Sequence, residues 1–205
     1  MRYNCSGRSM IEMLGVLAII GVLSIGGIAG YSKMMMRLRI NKVLEQVGVM
    51  SSKLSAYGSQ ANSYKGLTND TAIKLGAATD DMISNGNPFG GDIVIKAGNL
   101  IKTGTDKQAY VIIYKDIPEE ACISIVSGER YASKNSSFLG LGAGSTSKAT
   151  TIEKKLYQGC DGSKAAGQLI ACAEGKTVAM PVDISDATTG CTCANKLCAV
   201  VFKYY

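Results

Sequence analysis

The feature that most constrains this chain is a long uncharged stretch near its N-terminus. Residues Met13 to Ser32 contain no Asp, Glu, Lys or Arg, and Glu12 stands directly before them. At 1.5 Å of rise per residue, a helix of roughly 20 residues is about 30 Å long, which matches the hydrocarbon thickness of a bilayer. The stretch is longer than the apolar core of a secretory signal peptide, and a helical pattern continues after it. We therefore predict a membrane-spanning helix.

The segment that follows is predicted to continue this helix with one apolar face. Its apolar side chains recur in steps of three and four residues, with charged side chains between them. These apolar positions are Met36, Ile40, Val43, Val47, Met50, Leu54 and Tyr57. We expect this face to pack on the chain's own domain, and a separate dimeric coiled coil is the other interpretation. The whole helix is predicted from about Ser9 to Tyr57, with Gly58 ending it.

The remaining sequence predicts a domain with both helices and strands. Two helices are predicted, at Leu67–Ser84 with Thr68 or Asn69 as N-cap, and from Pro118 to about Ser127. Predicted strands are Asp92–Ala97, Ala109–Tyr114, Thr151–Tyr157, Leu169–Ala173, Lys176–Met180 and Ala199–Tyr204, the last of them inside the sheet. The Ser- and Gly-rich segment from Gly128 to Lys148 is predicted to be a long surface loop.

Composition excludes several classes of function. The chain has no His, so a His-dependent catalytic triad and a His-ligated metal centre are both excluded. The net charge is +6, and the 22 basic residues are spread along the chain apart from one cluster directly after the apolar stretch. That cluster, Lys33, Arg37, Arg39 and Lys42, is interpreted as flanking a membrane span, with nucleic-acid contact as the alternative.

Six of the seven cysteines lie in the second half of the chain. They are Cys122, Cys160, Cys172, Cys191, Cys193 and Cys198. An even set of this kind points to an oxidising compartment and disulfide bonds, with 15 possible pairings. Half of a soft-metal site at Cys191 and Cys193 is the alternative, disfavoured because the chain has no His and no pair of CxxC motifs.

Glu12 requires an explanation, because an unpaired carboxylate in lipid costs several kcal/mol. One explanation is its position at the end of the span, where the side chain reaches toward headgroups. The other is a cationic partner that assembly brings close.

The stretch SGRSMIEMLGVLAIIGVLS resembles the leader and cleavage motif of type IV pilins and type II secretion pseudopilins. The resemblance implies that prepilin peptidase cuts after Gly7, that the new first residue, Arg8, is N-methylated, and that Glu12 acts in filament assembly. Arg8 departs from the apolar residue usual at that position, and the span lacks the proline that many relatives carry. Glycines take its place and either loosen the helix or allow close packing of helices: Gly15, Gly21, Gly26, Gly27 and Gly30.

The motifs NPFGG, at Asn87–Gly91, and IPEEACISIVS, with Cys122, resemble the globular domain of type IVb pilins. The resemblance implies an α+β fold in which a long N-terminal helix packs on an antiparallel sheet with a disulfide-bounded C-terminal region. It implies that Cys122 pairs with Cys191 or Cys193. Beyond the resemblance, we expect the other of these two to pair with Cys198 and Cys160 to form a local bridge with Cys172.

The resemblance implies a structural filament subunit without enzymatic activity, cofactor or metal. Its parts are a leader at 1–7, a helix at 8–58 whose residues 13–32 lie in the membrane and later in the filament core, and a head at 59–205. The precursor is expected in the bacterial inner membrane with its head in the periplasm, and the product in an extracellular pilus. Implied partners are other copies, prepilin peptidase, the inner-membrane assembly machinery, lipid before assembly, and a host or neighbouring-cell surface.

Other functions within and outside this class stay open at the level of sequence. A minor pilin or secretion pseudopilin shares the motif, and a bitopic adhesin or receptor that does not polymerise would need no cleavage. The basic cluster after the span favours a cytoplasmic C-terminal domain by the positive-inside rule. The cysteines favour the opposite orientation. We give them precedence because the six thiols would not form disulfides in a reducing cytosol.

Overall fold

The computed structural model describes residues 10–99, 107–128, 137–149, 169–172 and 182–205. The chain divides into two compact units, Met1–Leu38 and Arg39–Tyr205. Helix α1, Met10–Ala61, is continuous through both of them.

The first unit is helical from Met10 onward and exposes its apolar side chains. In the second unit, the side of α1 that faces the domain is the predicted apolar face. Five of its members are buried: Ile40, Val43, Val47, Met50 and Leu54. Their spacing of three and four residues places them on one side of the helix, as an amphipathic helix packed on its own domain requires.

The domain contains a five-stranded antiparallel sheet in the order β1-β2-β5-β3-β4. The strands are β1 (Ile93–Gly98), β2 (Ala109–Pro118), β3 (Phe138–Ser145), β4 (Leu169–Cys172) and β5 (Leu197–Tyr204). The other helices are α2 (Asn69–Lys74), α3 (Asp80–Ser84), α4 (Glu119–Val126) and α5 (Ile184–Gly190). The predicted α+β class, the antiparallel sheet and the interior position of the last strand are confirmed.

The single helix predicted at Leu67–Ser84 is wrong, because the segment forms two short helices. Gly76 between them has φ of +68°, a left-handed conformation that ends a helix. Each helix has its own cap, since the Thr68 hydroxyl accepts from the Thr71 backbone N–H and the Thr79 hydroxyl from that of Met82. Thr68 was one of the two predicted N-caps.

The predicted helix stop at Gly58 is also wrong, since α1 continues to Ala61. Gly58 instead receives the phenol of Tyr64, whose oxygen lies 1.9 Å from where a Cβ at Gly58 would stand. The glycine is therefore required by side-chain packing. A glycine inside a helix lowers the stability of the helix modestly, and at position 58 the packing of Tyr64 offsets that cost.

The predicted surface loop from Gly128 to Lys148 is wrong in its second part, which forms strand β3. This strand lies between β5 and β4, and all but one of its residues are buried. Its glycines and serine have low strand propensity, so hydrogen bonding to two neighbouring strands decides its conformation. The predicted strands Thr151–Tyr157 and Lys176–Met180 lie outside the described residues.

Hydroxyl groups join α1 to the sheet. The phenol of Tyr110 on β2 donates to the Ser51 carbonyl at 2.9 Å and lies 3.0 Å from the Ser55 hydroxyl. The phenol of Tyr114 donates to Gln46 at 3.3 Å. Burial raises the pKa of Tyr110 and of Tyr114. The helix is thus held by tyrosines that must stay neutral.

Two disulfides close the C-terminal region. Cys122 on α4 is bonded to Cys191 at the end of α5, 69 positions along the chain. Cys193 is bonded to Cys198, only five positions away. Cys122, Cys191 and Cys198 are fully buried, and the 193–198 loop is held further by a hydrogen bond from the Cys193 N–H to Glu119 at 3.2 Å.

We predict unequal losses of stability when the two bonds are removed. In the chain-entropy account the Cys122–Cys191 bond contributes about 4 kcal/mol and the Cys193–Cys198 bond about 2 kcal/mol. The double variants Cys122→Ser/Cys191→Ser and Cys193→Ser/Cys198→Ser should therefore rank in that order in urea unfolding of the detergent-solubilised full chain. Equal losses would contradict the loop-length argument.

We also predict that the domain loses stability as pH rises above about 10. The unfolded chain ionises its tyrosines near that ordinary value, whereas burial keeps Tyr110 and Tyr114 protonated in the fold. Their stabilising effect is full below pH 10 and falls by about 1.4 kcal/mol per pH unit for each tyrosine above it. Urea unfolding followed by circular dichroism between pH 8.5 and 11 should show this slope, and Tyr114→Phe should reduce it. An unchanged slope in that variant would mean that groups other than Tyr114 cause the pH dependence of stability.

Candidate functional site

The candidate site is the N-terminal part of α1, which begins with a carboxylate. Glu12 is exposed and lies in the first turn of the helix, where the positive end of the helix dipole favours a negative charge. The predicted cleavage site, Gly7 and Arg8, lies outside the described residues.

The helix surface after Glu12 is apolar on every side. From Met10 to Ile28, its large apolar side chains are between 52% and 88% exposed. A helix that is apolar all round is stable only when its surroundings are apolar, in a bilayer or against other helices. Among the described residues, α1 is the one helix long and apolar enough to cross a membrane.

The two serines within this span bond to the backbone of their own helix. The Ser24 hydroxyl donates to the Ile20 carbonyl at 2.8 Å, and the Ser32 hydroxyl donates to the Ile28 carbonyl at 3.0 Å. Such bonds hide a hydroxyl from an apolar environment. Glu12 is therefore the polar group at the head of the span for which an outside partner matters most.

Among the described residues, no other part of the chain packs against the glycines of the span. Nothing lies within 4 Å of where a Cβ would stand at the five positions Gly15, Gly21, Gly26, Gly27 and Gly30. This contrasts with Gly58, where Tyr64 occupies the space. Both sequence interpretations of the span glycines, a loosened helix and close approach of neighbouring helices, thus refer to an environment outside this one chain.

The NPFGG motif has a structural role in the domain. Asn87 donates through its side-chain amide to the Lys115 carbonyl at 2.7 Å, and its side-chain oxygen accepts from the Phe89 N–H at 2.8 Å. A Cβ at Gly91 would stand 2.1 Å from the same Lys115 carbonyl oxygen. The motif therefore fastens the turn before β1 to the end of β2.

The cysteines predicted as candidates fall into two groups. Four are in the disulfides Cys122–Cys191 and Cys193–Cys198, so Cys191 is the bonded one of the two partners considered for Cys122. Cys160 lies outside the described residues, and only the backbone of Cys172 is described, within β4. In the described part of the chain, no three His, Cys, Asp or Glu side chains come together as metal ligands do.

The structural role of Ser51, Ser55 and Tyr64 was missed by sequence reasoning. The serines bond the buried phenol of Tyr110, and Tyr64 packs on Gly58 and against the Tyr110 ring at 4.8 Å between centroids. Small residues at 51, 55 and 58, on successive turns of one helix face, are the signal that could have indicated close packing there.

No protein-family model and no curated protein sequence matches this chain. Solved structures do match this chain. The crystal structure of TcpA, a type IV pilin from Vibrio cholerae El Tor biotype, matches with a TM-score of 0.57 and 14% identity, covering 82% of this chain and 99% of that one. A type IVb pilin from Salmonella typhi matches with a TM-score of 0.46 and 18% identity, covering 78% of this chain and 96% of that one. At these identities the TcpA likeness is one of fold alone, and the chain has the fold of a type IV pilin.

Proposed function

We propose that this chain is the subunit of a type IV pilus of type IVb character, cleaved after Gly7 and polymerised through α1. The observation that carries the proposal is the helix itself. It exposes an apolar surface headed by Glu12, and it continues without a break into a domain with the pilin fold.

The proposed life cycle has two stages. The precursor is held in the inner membrane by residues 13–32, with the head, residues 59–205, in the periplasm, where its disulfides form. Prepilin peptidase removes residues 1–7, and the membrane assembly machinery then transfers the helix from lipid into the core of an extracellular filament. Adhesion, aggregation or conjugation are functions that such a filament would support.

Glu12 provides the electrostatic reason for assembly. Cleavage turns Arg8 into an N-terminus with a new α-amino group. Pairing the Glu12 carboxylate with that group on a neighbouring subunit replaces two separately buried charges by one ion pair, which removes most of the penalty of each. The precursor lacks this amino group at Arg8, so cleavage and assembly are coupled.

Mass spectrometry of the chain recovered from cells tests the cleavage directly. We expect the mature N-terminus at Arg8, with an added methyl group on its amine, in material sheared from the cell surface. A chain that begins at Met1 would contradict the proposal and support a bitopic adhesin or receptor that does not polymerise.

Substitution of Glu12 tests the electrostatic step. We expect Glu12→Val and Glu12→Gln to abolish surface filaments, because neither can form the ion pair, while the uncut and cut chains remain in the membrane. Glu45→Gln is the matched control, since Glu45 is an exposed carboxylate on the same helix. Normal filament numbers in the Glu12 variants, counted by electron microscopy, would remove this account of assembly.

A further inference from the structure

We propose that neighbouring heads join edge to edge, with Ile184 of one copy seated in a hollow beside Tyr57 of the next copy. The inference rests on the proposed polymerisation and names the head surfaces that take part in it. Its basis is an apolar hollow with a basic rim on one side of the head and an exposed apolar side chain beside a carboxylate on the other.

The hollow lies between the end of α1 and helix α2. Its volume is about 200 Å³, and its walls include Tyr57, Tyr64, Leu67 and Leu75, with Lys65 and Lys74 at the same site. The hollow is shaped by the contact of Tyr64 with Gly58, which fixes the ring against α1. Tyr57 and Leu75 are 42% and 41% exposed, so the hollow presents apolar surface to an incoming side chain.

The lysines of the hollow are available to an acidic partner. Within the described residues, the ammonium groups of Lys65 and Lys74 make no ion pair or hydrogen bond, whereas that of Lys115 is paired with Asp92. A third lysine, Lys53, donates to the nearby Gly76 carbonyl. An apolar side chain next to a carboxylate would therefore match both the walls and the charge of this hollow.

The matching feature is at the start of α5. Ile184 is 75% exposed, more than any other large apolar side chain from residue 39 onward within the described part of the head. Asp183 directly before it caps the helix, with one carboxylate oxygen accepting from the N–H groups of Ser185 at 2.7 Å and Asp186 at 3.2 Å. The cap and the Cys122–Cys191 bond hold Ile184 and Asp183 in a fixed orientation.

The two features lie at opposite edges of the sheet. The Asn69 side chain of α2 bonds the Ile93 carbonyl and the Ile95 N–H of edge strand β1, while α5 packs against α4, β3 and β4 at the other edge. Four strand spacings of about 4.8 Å separate these edges by roughly 19 Å. Ile184 therefore has to find its hollow on another copy.

This arrangement suits an open series of subunits that all point the same way. A contact between two different surfaces is heterologous, and repeated heterologous contacts form rings or helical filaments. The Asn69 amide and the Leu67 carbonyl, which accepts from the Ala97 N–H at 3.3 Å, already occupy three outer hydrogen-bonding groups of β1: the Ile93 carbonyl and the N–H groups of Ile95 and Ala97. These bonds disfavour direct strand pairing between copies at β1, which favours docking through side chains at this edge.

Cysteine cross-linking in assembled filaments tests the contact. Two chains, one with Ile184→Cys and the other with Leu75→Cys, are expressed together, and the sheared filaments are oxidised with copper phenanthroline. We expect a reducible covalent dimer that neither variant forms alone. The control pair, Leu197→Cys with Leu75→Cys, places an exposed thiol on the central strand β5 and should give no dimer.

Filament yield is the second readout. We expect Ile184→Ala to lower the share of the chain found in filaments about tenfold, since a buried Ile side chain contributes about that factor or more. Asp183→Asn keeps the helix cap but removes the charge, and should lower the yield about threefold. Leu197→Ala should leave it unchanged.

The outcomes separate this inference from the proposed function. Normal filaments that begin at Arg8, without the 184–75 dimer and with full yield in Ile184→Ala, would overturn the edge contact and leave polymerisation through α1 intact. A wild-type chain that forms no filaments would overturn both. Native disulfide content, measured in each variant, confirms that a loss of filaments does not reflect a misfolded head.

Discussion

Helix α1 is continuous from Met10 to Ala61, and its two parts carry different apolar patterns because they meet different surroundings. The first part is apolar on all sides and exposes every large side chain up to Ile28. The second part has one buried face, held to the sheet by packing and by the tyrosine bonds to Ser51, Ser55 and Gln46. A break between these parts would separate whatever binds the apolar surface from the domain, so the continuity of the helix is what the proposed function depends on.

The N-terminal part was predictable because its signals are local. Twenty uncharged residues, followed by seven apolar positions in steps of three and four, indicate a helix without reference to any other part of the chain. The errors arose where tertiary contacts outweigh local preference. β3 is a strand because β5 and β4 bond it on both sides, and Gly58 is in the helix because Tyr64 needs the space. Gly76 differs from these cases, because a glycine inside a predicted helix is itself a local signal that the helix can end there, and the structure gives this residue a left-handed φ.

In the candidate site too, features with a local sequence signal were predicted, and features that depend on tertiary contacts were not. Glu12 stands out in the sequence because it is the carboxylate at the head of an uncharged span, and its place in the first helical turn follows from that. The resemblance to type IVb pilins narrowed the partner of Cys122 to two cysteines and no further, because Cys191 and Cys193 are two residues apart and a bond to either would close a loop of nearly equal length. The hollow at Tyr57 and the exposed Ile184 were beyond sequence reasoning, since the residues of the hollow come together only in the fold.

The helix and the head contribute differently to a filament. Packing of apolar helices is strong but tolerant of sliding and rotation, because lipid-like surfaces fit one another in many registers. An ion pair at Glu12 would select one axial register, and a side-chain contact between opposite sheet edges would select one rotation. The central claim is the ion pair at Glu12. A cryo-electron microscopy map of the filament tests it most directly. The account predicts the Glu12 carboxylate within about 4 Å of the Arg8 α-amino group of a neighbouring subunit, and a map in which Glu12 faces solvent or lies beyond reach of every amine would contradict it.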